Sequence, residues 1–254
     1  MLILEEQDKS PTKYCIQCGA SNAAHVKFCS SCGSRQSYIN AAQTKYNTWQ
    51  LLKQAALFYG IYIIVCAVST FVGYFKTIGW SLVIEIIIAG TAVIFFAYNW
   101  DNCKNLLRWP SFSWQKVAAY GAIAMAGGVV IHYVAGWVNV TIFSRDYDYY
   151  STFTGLPGAP YLFIFFFAVT PALFEELGFR GYLLQSLLNI ADTSQAVFIS
   201  AFLFAIIHLS VISLFWLIPF ALFLGYTRVK ENTIWYGVVF HFCFNLTACL
   251  FELL

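Results

Sequence analysis

Three ionisable side chains, Glu175, Glu176 and Arg180, lie within six residues of an otherwise apolar stretch. Glu176 and Arg180 are four residues apart, so a helix places them on one face and lets them pair. Glu175 then points about 100° away, which leaves its carboxylate free to act. A charge at the centre of a bilayer costs about 2.5–3.5 kcal/mol, so three charges without a function are improbable.

Two further polar pairs have the same four-residue spacing in later apolar segments. Phe204 and His208 form one pair, and His241 and Asn245 form the other. If the helices bring them to Glu175, a carboxylate, two imidazoles and a carboxamide share one polar site. The carboxylate can then take a proton from a water that one imidazole holds, while the other imidazole and the amide stabilise an oxyanion. This chemistry suits hydrolysis without a nucleophilic Ser or Cys.

The same residues leave other interpretations open. His208, His241 and one glutamate could bind zinc with an open position for water, although no His-Glu-x-x-His sequence is present. Glu175 and His208 could relay protons in a transporter. The charges could also do no more than fix helix packing in a scaffold. Glu85 and His132 are each solitary in their apolar runs, and we expect them to pack or to face a lumen.

The composition indicates a polytopic membrane protein that must position these groups. Of 254 residues, 60% are hydrophobic and only 10% are charged, whereas soluble domains are about 25% charged. The net charge of +2 gives no reason to expect a nucleic acid partner. The uncharged runs are 54–75, 77–100 (with Glu85), 117–144, 149–190 (which contains the motif), 193–227 and 232–251.

These runs predict an all-α bundle of seven or eight transmembrane helices, since a spanning helix needs about 20 residues. The run 193–227 is too long for one crossing, so we expect it to turn back near residues 208–213. Counting residues along the helices at about 1.5 Å each predicts that Glu175 and His208 lie about 10–15 Å apart in membrane depth. A partly inserted 193–227 hairpin would close that gap.

Basic residues predict the orientation of the bundle. They occur in the loop after the second span and in the loop before the last span, at Lys104, Arg108, Lys116, Arg228 and Lys230. Cytoplasmic loops carry an excess of Lys and Arg, so the N-terminus is predicted to be cytoplasmic. We expect an integral protein of a bacterial plasma membrane.

The N-terminal segment has the pattern of a zinc ribbon. Cys15 and Cys18 form one Cys-x-x-Cys pair, Cys29 and Cys32 form a second, and a glycine follows each pair. Four thiolates supply a tetrahedral metal site, and disulfides would require an oxidising compartment. We therefore predict structural zinc, with iron as the main competitor.

Three parts follow from this organisation. Residues 1–36 form the predicted zinc ribbon, residues 37–52 a polar linker, and residues 53–254 the transmembrane domain. We expect the ribbon to bind a cytosolic protein partner or to regulate the membrane domain.

The polar motifs of the membrane domain resemble those of the CPBP or Abi family, which includes the CAAX prenyl endopeptidases. Glu-Glu-x-x-x-Arg, with Phe179 and Gly181 around the arginine, is followed by Phe-x-x-x-His and then His-x-x-x-Asn, all within residues 175–245. Three motifs in this order are specific, although each alone is weak. The resemblance implies an intramembrane endopeptidase whose substrate is a membrane-embedded or lipidated peptide.

The resemblance also implies a role for each motif residue. Glu175 resembles the catalytic base, and His208 resembles its partner in binding water. His241 and Asn245 resemble the pair that stabilises the oxyanion.

Glu176 and Arg180 resemble the structural pair that positions the others. The family's residues fit a metal-free glutamate mechanism as well as a zinc-dependent one, and we favour the metal-free mechanism. Two alternatives remain: a non-catalytic scaffold or immunity protein with a partner-binding ribbon, and a proton-coupled transporter.

Overall fold

The computed structural model describes residues 12–14, 20–23, 26–34, 48–110, 112–143 and 148–254. The chain divides into two compact units, residues 1–47 and residues 48–254. In the first unit, strands β1 (Thr12–Tyr14) and β2 (Ser21–Ala23) pair antiparallel, with Thr12 opposite Ala23. Cys15 and Cys18 lie outside the described residues, so the four-cysteine site stays a prediction.

The described part of the second unit is built from seven long helices joined by short helical turns. They are α1 Thr48–Phe71, α2 Ile78–Tyr98, α3 Trp114–Phe143, α4 Ala159–Leu188, α5 Thr193–Ile206, α6 Leu214–Glu231 and α7 Trp235–Leu253. The predicted all-α architecture of the membrane domain is confirmed.

Fewer helices are suited to span a bilayer than the sequence predicts. Among the described residues, five helices are long and apolar enough to cross a membrane, namely α1, α2, α3, α4 and α7. The predicted count of seven or eight exceeds this number because the run 193–227 is divided unequally. Helix α5 has 14 residues, about 21 Å, and the last turn of α6 carries Arg228 and Lys230.

The reversal between α5 and α6 occurs where the length of the run predicts it. Helix α5 begins at an Asp192 cap, whose Oδ1 accepts from the Gln195 N–H at 3.0 Å, and it ends at Ile206. In the turn, Leu209 has a φ of 52°. The Ser210 hydroxyl oxygen accepts from the Ser213 N–H at 3.4 Å, so a side chain satisfies a backbone donor in this irregular segment.

Helix α4 carries the Glu-Glu-x-x-x-Arg motif and departs from regular α geometry. It includes two π-helical stretches, Phe165–Val169 and Glu176–Leu183. Helical structure continues through Pro171, although proline removes one backbone donor from the helix. π-Helical turns are rare and frequently occur at functional sites.

Helices α1 and α2 pack closely against the motif helix at Gly178. A Cβ added there would lie 2.9 Å from Phe58 Cζ, 3.1 Å from the Tyr62 hydroxyl and 3.4 Å from Ala92 Cβ. The Phe58 and Tyr62 side chains are fully buried, so neither can move aside into solvent. The first two spans therefore help to position the motif and do more than cross the membrane.

We expect Gly178→Ala to lower the free energy of unfolding by about 1–3 kcal/mol, because overpacking forces buried side chains off their rotamers. Thermal unfolding of the protein in detergent micelles measures the change. Gly90→Ala in α2 is the matched control, since a Cβ there meets nothing within 4 Å and alanine favours a helix over glycine. An unfolding temperature for Gly178→Ala equal to that of the control would contradict the packing described.

Candidate active site

The core of the site is an ion pair on one face of α4. Arg180 Nη1 donates to Glu176 Oε1 at 2.9 Å. Both side chains are buried, with residue exposures of 0% for Glu176 and 1% for Arg180. The four-residue spacing therefore produces the pairing that the sequence suggests, here within a π-helical stretch.

Helices α5 and α6 hold the other side of the guanidinium. The Arg180 Cζ atom lies 4.3 Å from the centroid of the Phe204 ring, a favourable cation–π position. Arg180 Nη2 donates to the Ala221 carbonyl at 3.4 Å. Arg180 consequently links α4 to both helices of the hairpin, and its orientation is fixed from three sides.

His241 on α7 reaches the same carboxylate. Its Nδ1 lies 3.0 Å from Glu176 Oε1, and a carboxylate oxygen can only accept here, so Nδ1 carries the proton. One turn earlier, Gly237 allows the approach, since a Cβ there would lie 2.8 Å from Glu176 Oε2. Glu176 thus fixes the ring of His241 and directs its Nε2 away from the ion pair.

Glu175 lies on the exposed side of this arrangement. Its Oε2 is 3.9 Å from His241 Nε2, and 18% of its side-chain surface is accessible. That distance is longer than a hydrogen bond. Among the described residues, Glu175 Oε2 has no hydrogen-bond partner, so this carboxylate retains an oxygen that can bind a proton.

His208 follows the end of α5 and is exposed. Its Nδ1 lies 3.0 Å from the Phe204 carbonyl oxygen, which can only accept, so Nδ1 carries a proton and a neutral ring keeps an acceptor at Nε2. Both imidazoles pack on the Phe204 ring, with ring centroids 5.0 Å away for His208 and 6.1 Å for His241. Because α5 is short, it ends near the level of Glu176 and delivers His208 there.

Asn245 on α7 contacts the backbone of α4. Its Nδ2 donates to the Phe167 carbonyl at 3.0 Å. Pro171 stands four residues after Phe167 and has no N–H, so this carbonyl lacks the usual helical donor. The proline therefore creates the acceptor that orients the carboxamide, and the second Nδ2 hydrogen and Oδ1 stay available.

The structure brings the predicted residues together to different degrees. Glu176, Arg180 and His241 form one hydrogen-bonded group, and Glu175 faces His241 without a bond. His208 and Asn245 approach this group through contacts to Phe204 and Phe167 rather than through direct bonds. Among the described residues, no three His, Cys, Asp or Glu side chains are grouped so that they could hold a metal ion.

Sequence reasoning missed two residues of the site. Glu85 is the one ionisable residue of its apolar run, as expected, but α2 packs on the segment Thr170–Glu175, which brings this carboxyl near Glu175. Gly237 lies four residues before His241, a spacing that indicates close approach on the face of the histidine. His132, by contrast, stacks on Phe251 with ring centroids 4.0 Å apart, which confirms its expected packing role.

One protein-family model matches the part of the chain that carries this site. Residues 157–247 match the model of the Rce1-like family, described as type II CAAX prenyl endopeptidase Rce1-like. This match supports the CPBP/Abi family. It covers all three polar motifs and, together with the five long apolar helices, supports an integral membrane protein. No curated protein and no solved structure matches the chain.

We expect Arg180→Met to destabilise the protein by about 3–5 kcal/mol, because it leaves the Glu176 carboxylate buried without its partner. The double variant Glu176→Gln with Arg180→Met should lose less than the sum of the single variants. A double-mutant cycle of unfolding free energies in detergent tests this coupling. The exposed pair Asp101 and Lys104 is the matched control and should couple by at most about 1 kcal/mol. Additive losses at the buried pair would contradict it.

Proposed function

We propose that the protein is an intramembrane endopeptidase in which Glu175 activates a water to hydrolyse a peptide bond. The 3.9 Å approach of Glu175 Oε2 to His241 Nε2 carries this proposal. It places a carboxylate with an unused oxygen opposite an imidazole that Glu176 orients. A family match to prenyl endopeptidases supports the same class of reaction.

In the first step Glu175 takes a proton from a bound water, and the water oxygen adds to the carbonyl carbon of the scissile peptide. A neutral His208 can accept the second water proton in a hydrogen bond at Nε2, which orients the oxygen for attack. General-base catalysis of this kind contributes about 10²–10⁴-fold to the rate.

The addition leaves negative charge on the former carbonyl oxygen. Asn245 can donate its second Nδ2 hydrogen to that oxygen, and His241 can donate from Nε2 when its ring carries both protons. Collapse of the tetrahedral intermediate breaks the C–N bond, and Glu175 returns its proton to the departing amine. The products are a carboxylic acid and an amine, and Glu175 regains its initial state.

We favour a reaction without a catalytic metal. Each histidine places Nδ1 against a protein oxygen and keeps Nε2, which a metal-free site and a zinc site can both use. Among the described side chains, however, no three donors are grouped so that they could hold a metal ion, and this favours a glutamate base over a His₂Glu zinc site. The likeness to CAAX prenyl endopeptidases supports, as substrate, a membrane-associated peptide with a prenylated cysteine near its C-terminus.

Glu175→Gln should reduce cleavage at least about 100-fold, because the amide cannot accept a proton from water. A quenched fluorescent peptide with a farnesylated C-terminal Cys-Ala-Ala-X sequence, presented in liposomes, measures the rate. Asp101→Asn, a charge removal at an exposed site, should keep the wild-type rate.

Both variants should unfold at the wild-type temperature in detergent, so a loss of cleavage cannot come from a loss of fold. Full activity of Glu175→Gln would refute the mechanism. A wild-type protein that cleaves no prenylated peptide would refute the proposed substrate, and a scaffold would then be the better interpretation.

We further propose that the N-terminal unit lies in the cytoplasm of a bacterial cell. Lys116 Nζ contacts Glu231 Oε2 at 2.6 Å, and Thr233 Oγ1 donates to the Leu106 carbonyl at 3.1 Å. Both basic loops therefore lie at one end of the bundle. Helices α1 and α2 pack as neighbours, so α1 starts at that end, which the positive-inside rule assigns to the cytoplasm.

In the cytoplasm the four cysteines would bind a structural zinc. Cys29 Sγ accepts from Asn22 Nδ2 at 3.5 Å and from the Ser31 N–H at 3.4 Å, contacts that suit a thiolate. Gly33 has a φ of 69°, which a glycine adopts without strain at the end of a metal knuckle. Such a module would serve to bind a cytosolic protein partner.

We expect about one zinc ion per chain in the purified protein, measured by inductively coupled plasma mass spectrometry. Replacing the four cysteines by serine should reduce zinc to background and leave cleavage of the farnesylated peptide unchanged. Zinc retained in that variant would place the metal elsewhere, and iron in the wild-type protein would contradict the choice of metal. The four replacements are Cys15→Ser, Cys18→Ser, Cys29→Ser and Cys32→Ser.

A further inference from the structure

We propose that Glu85 on α2 is a positioning residue that titrates together with Glu175 and so sets the pH range in which Glu175 acts as the base. Its consequence for catalysis rests on the proposed function, whereas the coupling between the two carboxyl groups does not.

Helices α2 and α4 run in the same direction and in contact. A Cβ added at Gly178 would lie 3.4 Å from Ala92 Cβ. A Cβ added at Gly181 would lie 2.8 Å from the Phe96 ring. A step of four residues along α2 thus accompanies a step of three along α4. These two contacts fix the register between the helices, because both glycines leave no room for sliding.

The register places Glu85 beside the start of the motif. Glu85 precedes Ala92 by seven residues, so two helical turns return it to the face that packs on α4. On α4 the matching position lies about five to seven residues before Gly178, between Pro171 and Leu173. Helix α2 packs on the segment Thr170–Glu175 of α4, in agreement with this register. Glu175 follows Pro171 by four residues, about 6 Å along the helix.

The two carboxyl groups are consequently close enough to influence each other. Glu85, like Glu176 and Arg180, lies within the range of charge–charge interaction with Glu175. Like charges in an apolar environment disfavour simultaneous ionisation, so a coupled pair releases its protons in two separated steps.

The other titratable groups around Glu175 differ from Glu85 in being either paired or neutral. They come from four elements: Tyr62 and Cys66 on α1, Glu176 and Arg180 on α4, His208 after α5, and His241 on α7. Glu176 is paired with Arg180, and the phenol and thiol are neutral at ordinary pH. Among the described residues Glu85 forms no ion pair, so a change in its charge acts on Glu175 without a compensating change at a partner.

Coupling of this kind matters for a base that must accept and return one proton in each cycle. While Glu85 is ionised, its charge opposes ionisation of Glu175 and strengthens Glu175 as a base. The proton itself passes from water to Glu175 and then to the departing amine, so Glu85 ends the cycle as it began. Glu85 acts through Glu175 and need not touch the substrate.

Infrared titration of the full-length protein in liposomes tests the coupling directly. The carbonyl stretch of protonated carboxyl groups is followed against pH in wild type, Glu85→Gln, Glu175→Gln and Asp101→Asn, and difference spectra isolate the two glutamates. We expect two wild-type steps separated by about one pH unit or more. Each glutamate variant should show one remaining step, at lower pH than the upper wild-type step, and Asp101→Asn should match wild type.

The rate of cleavage of the farnesylated peptide against pH tests the consequence. The acid limb for Glu85→Gln should move to lower pH by about one unit, since the opposing charge is removed, and Asp101→Asn should leave the limb in place. Glu85→Asp retains the charge and should restore both the two-step titration and the acid limb. If Glu85→Gln fails to fold, the shift of the remaining Glu85 step in Glu175→Gln tests the coupling instead.

The results separate the two proposals. A Glu85→Gln protein in which Glu175 titrates as in wild type overturns the role of Glu85, whatever the enzyme does. A lower rate of cleavage with an unchanged acid limb also overturns it, because loss of a purely structural residue would lower the rate without moving the limb. Two coupled steps in a wild-type protein that cleaves no prenylated peptide would support the coupling and refute the proposed function.

Discussion

The buried ion pair between Glu176 and Arg180 is the constraint on which the rest of the membrane domain depends. An isolated charge in an apolar interior costs several kcal/mol, and a pair repays this only when further contacts satisfy both partners. Here the Phe204 ring and the Ala221 carbonyl complete the surroundings of the guanidinium, and His241 completes those of the carboxylate. The pair thereby ties α4 to α5, α6 and α7, and these contacts are also the ones that assemble the site.

Adjacent glutamates acquire different properties from this arrangement. Side chains next to each other on a helix point in different directions, so only one of the two can join the ion pair. Glu176 is enclosed and uses one oxygen for both Arg180 and His241. Each glutamate keeps one oxygen without a hydrogen-bond partner among the described residues, but Glu175 stays outside the ion pair and 18% of its side-chain surface is accessible. A requirement of packing therefore separates a structural carboxylate from a reactive one.

Local spacing and segment length were sufficient to predict some of these features. The pairing of Glu176 with Arg180 follows from a four-residue interval, and the turn near residues 208–213 follows from a run too long to cross once. The number of spans, the π-helical stretches and the approach of Glu85 do not follow in this way. They depend on the register between helices distant in the chain, which hydropathy does not encode. The role of Gly237 could have been inferred, because a glycine one turn before His241 indicates a close neighbour on that face.

The departures from regular helix geometry have a common physical reason. In the apolar part of a membrane, irregular backbone is tolerated only where the protein itself satisfies the polar groups. Pro171 removes a helical donor from the Phe167 carbonyl, and Asn245 supplies the replacement. In the turn after α5, the Ser210 hydroxyl oxygen accepts from the Ser213 N–H. The polar side chains that stabilise these breaks thus belong to the same segments as the motif residues. The same segments therefore carry the polar groups of the site and the side chains that bond to the irregular backbone. This explains how a largely apolar chain can maintain a reactive site.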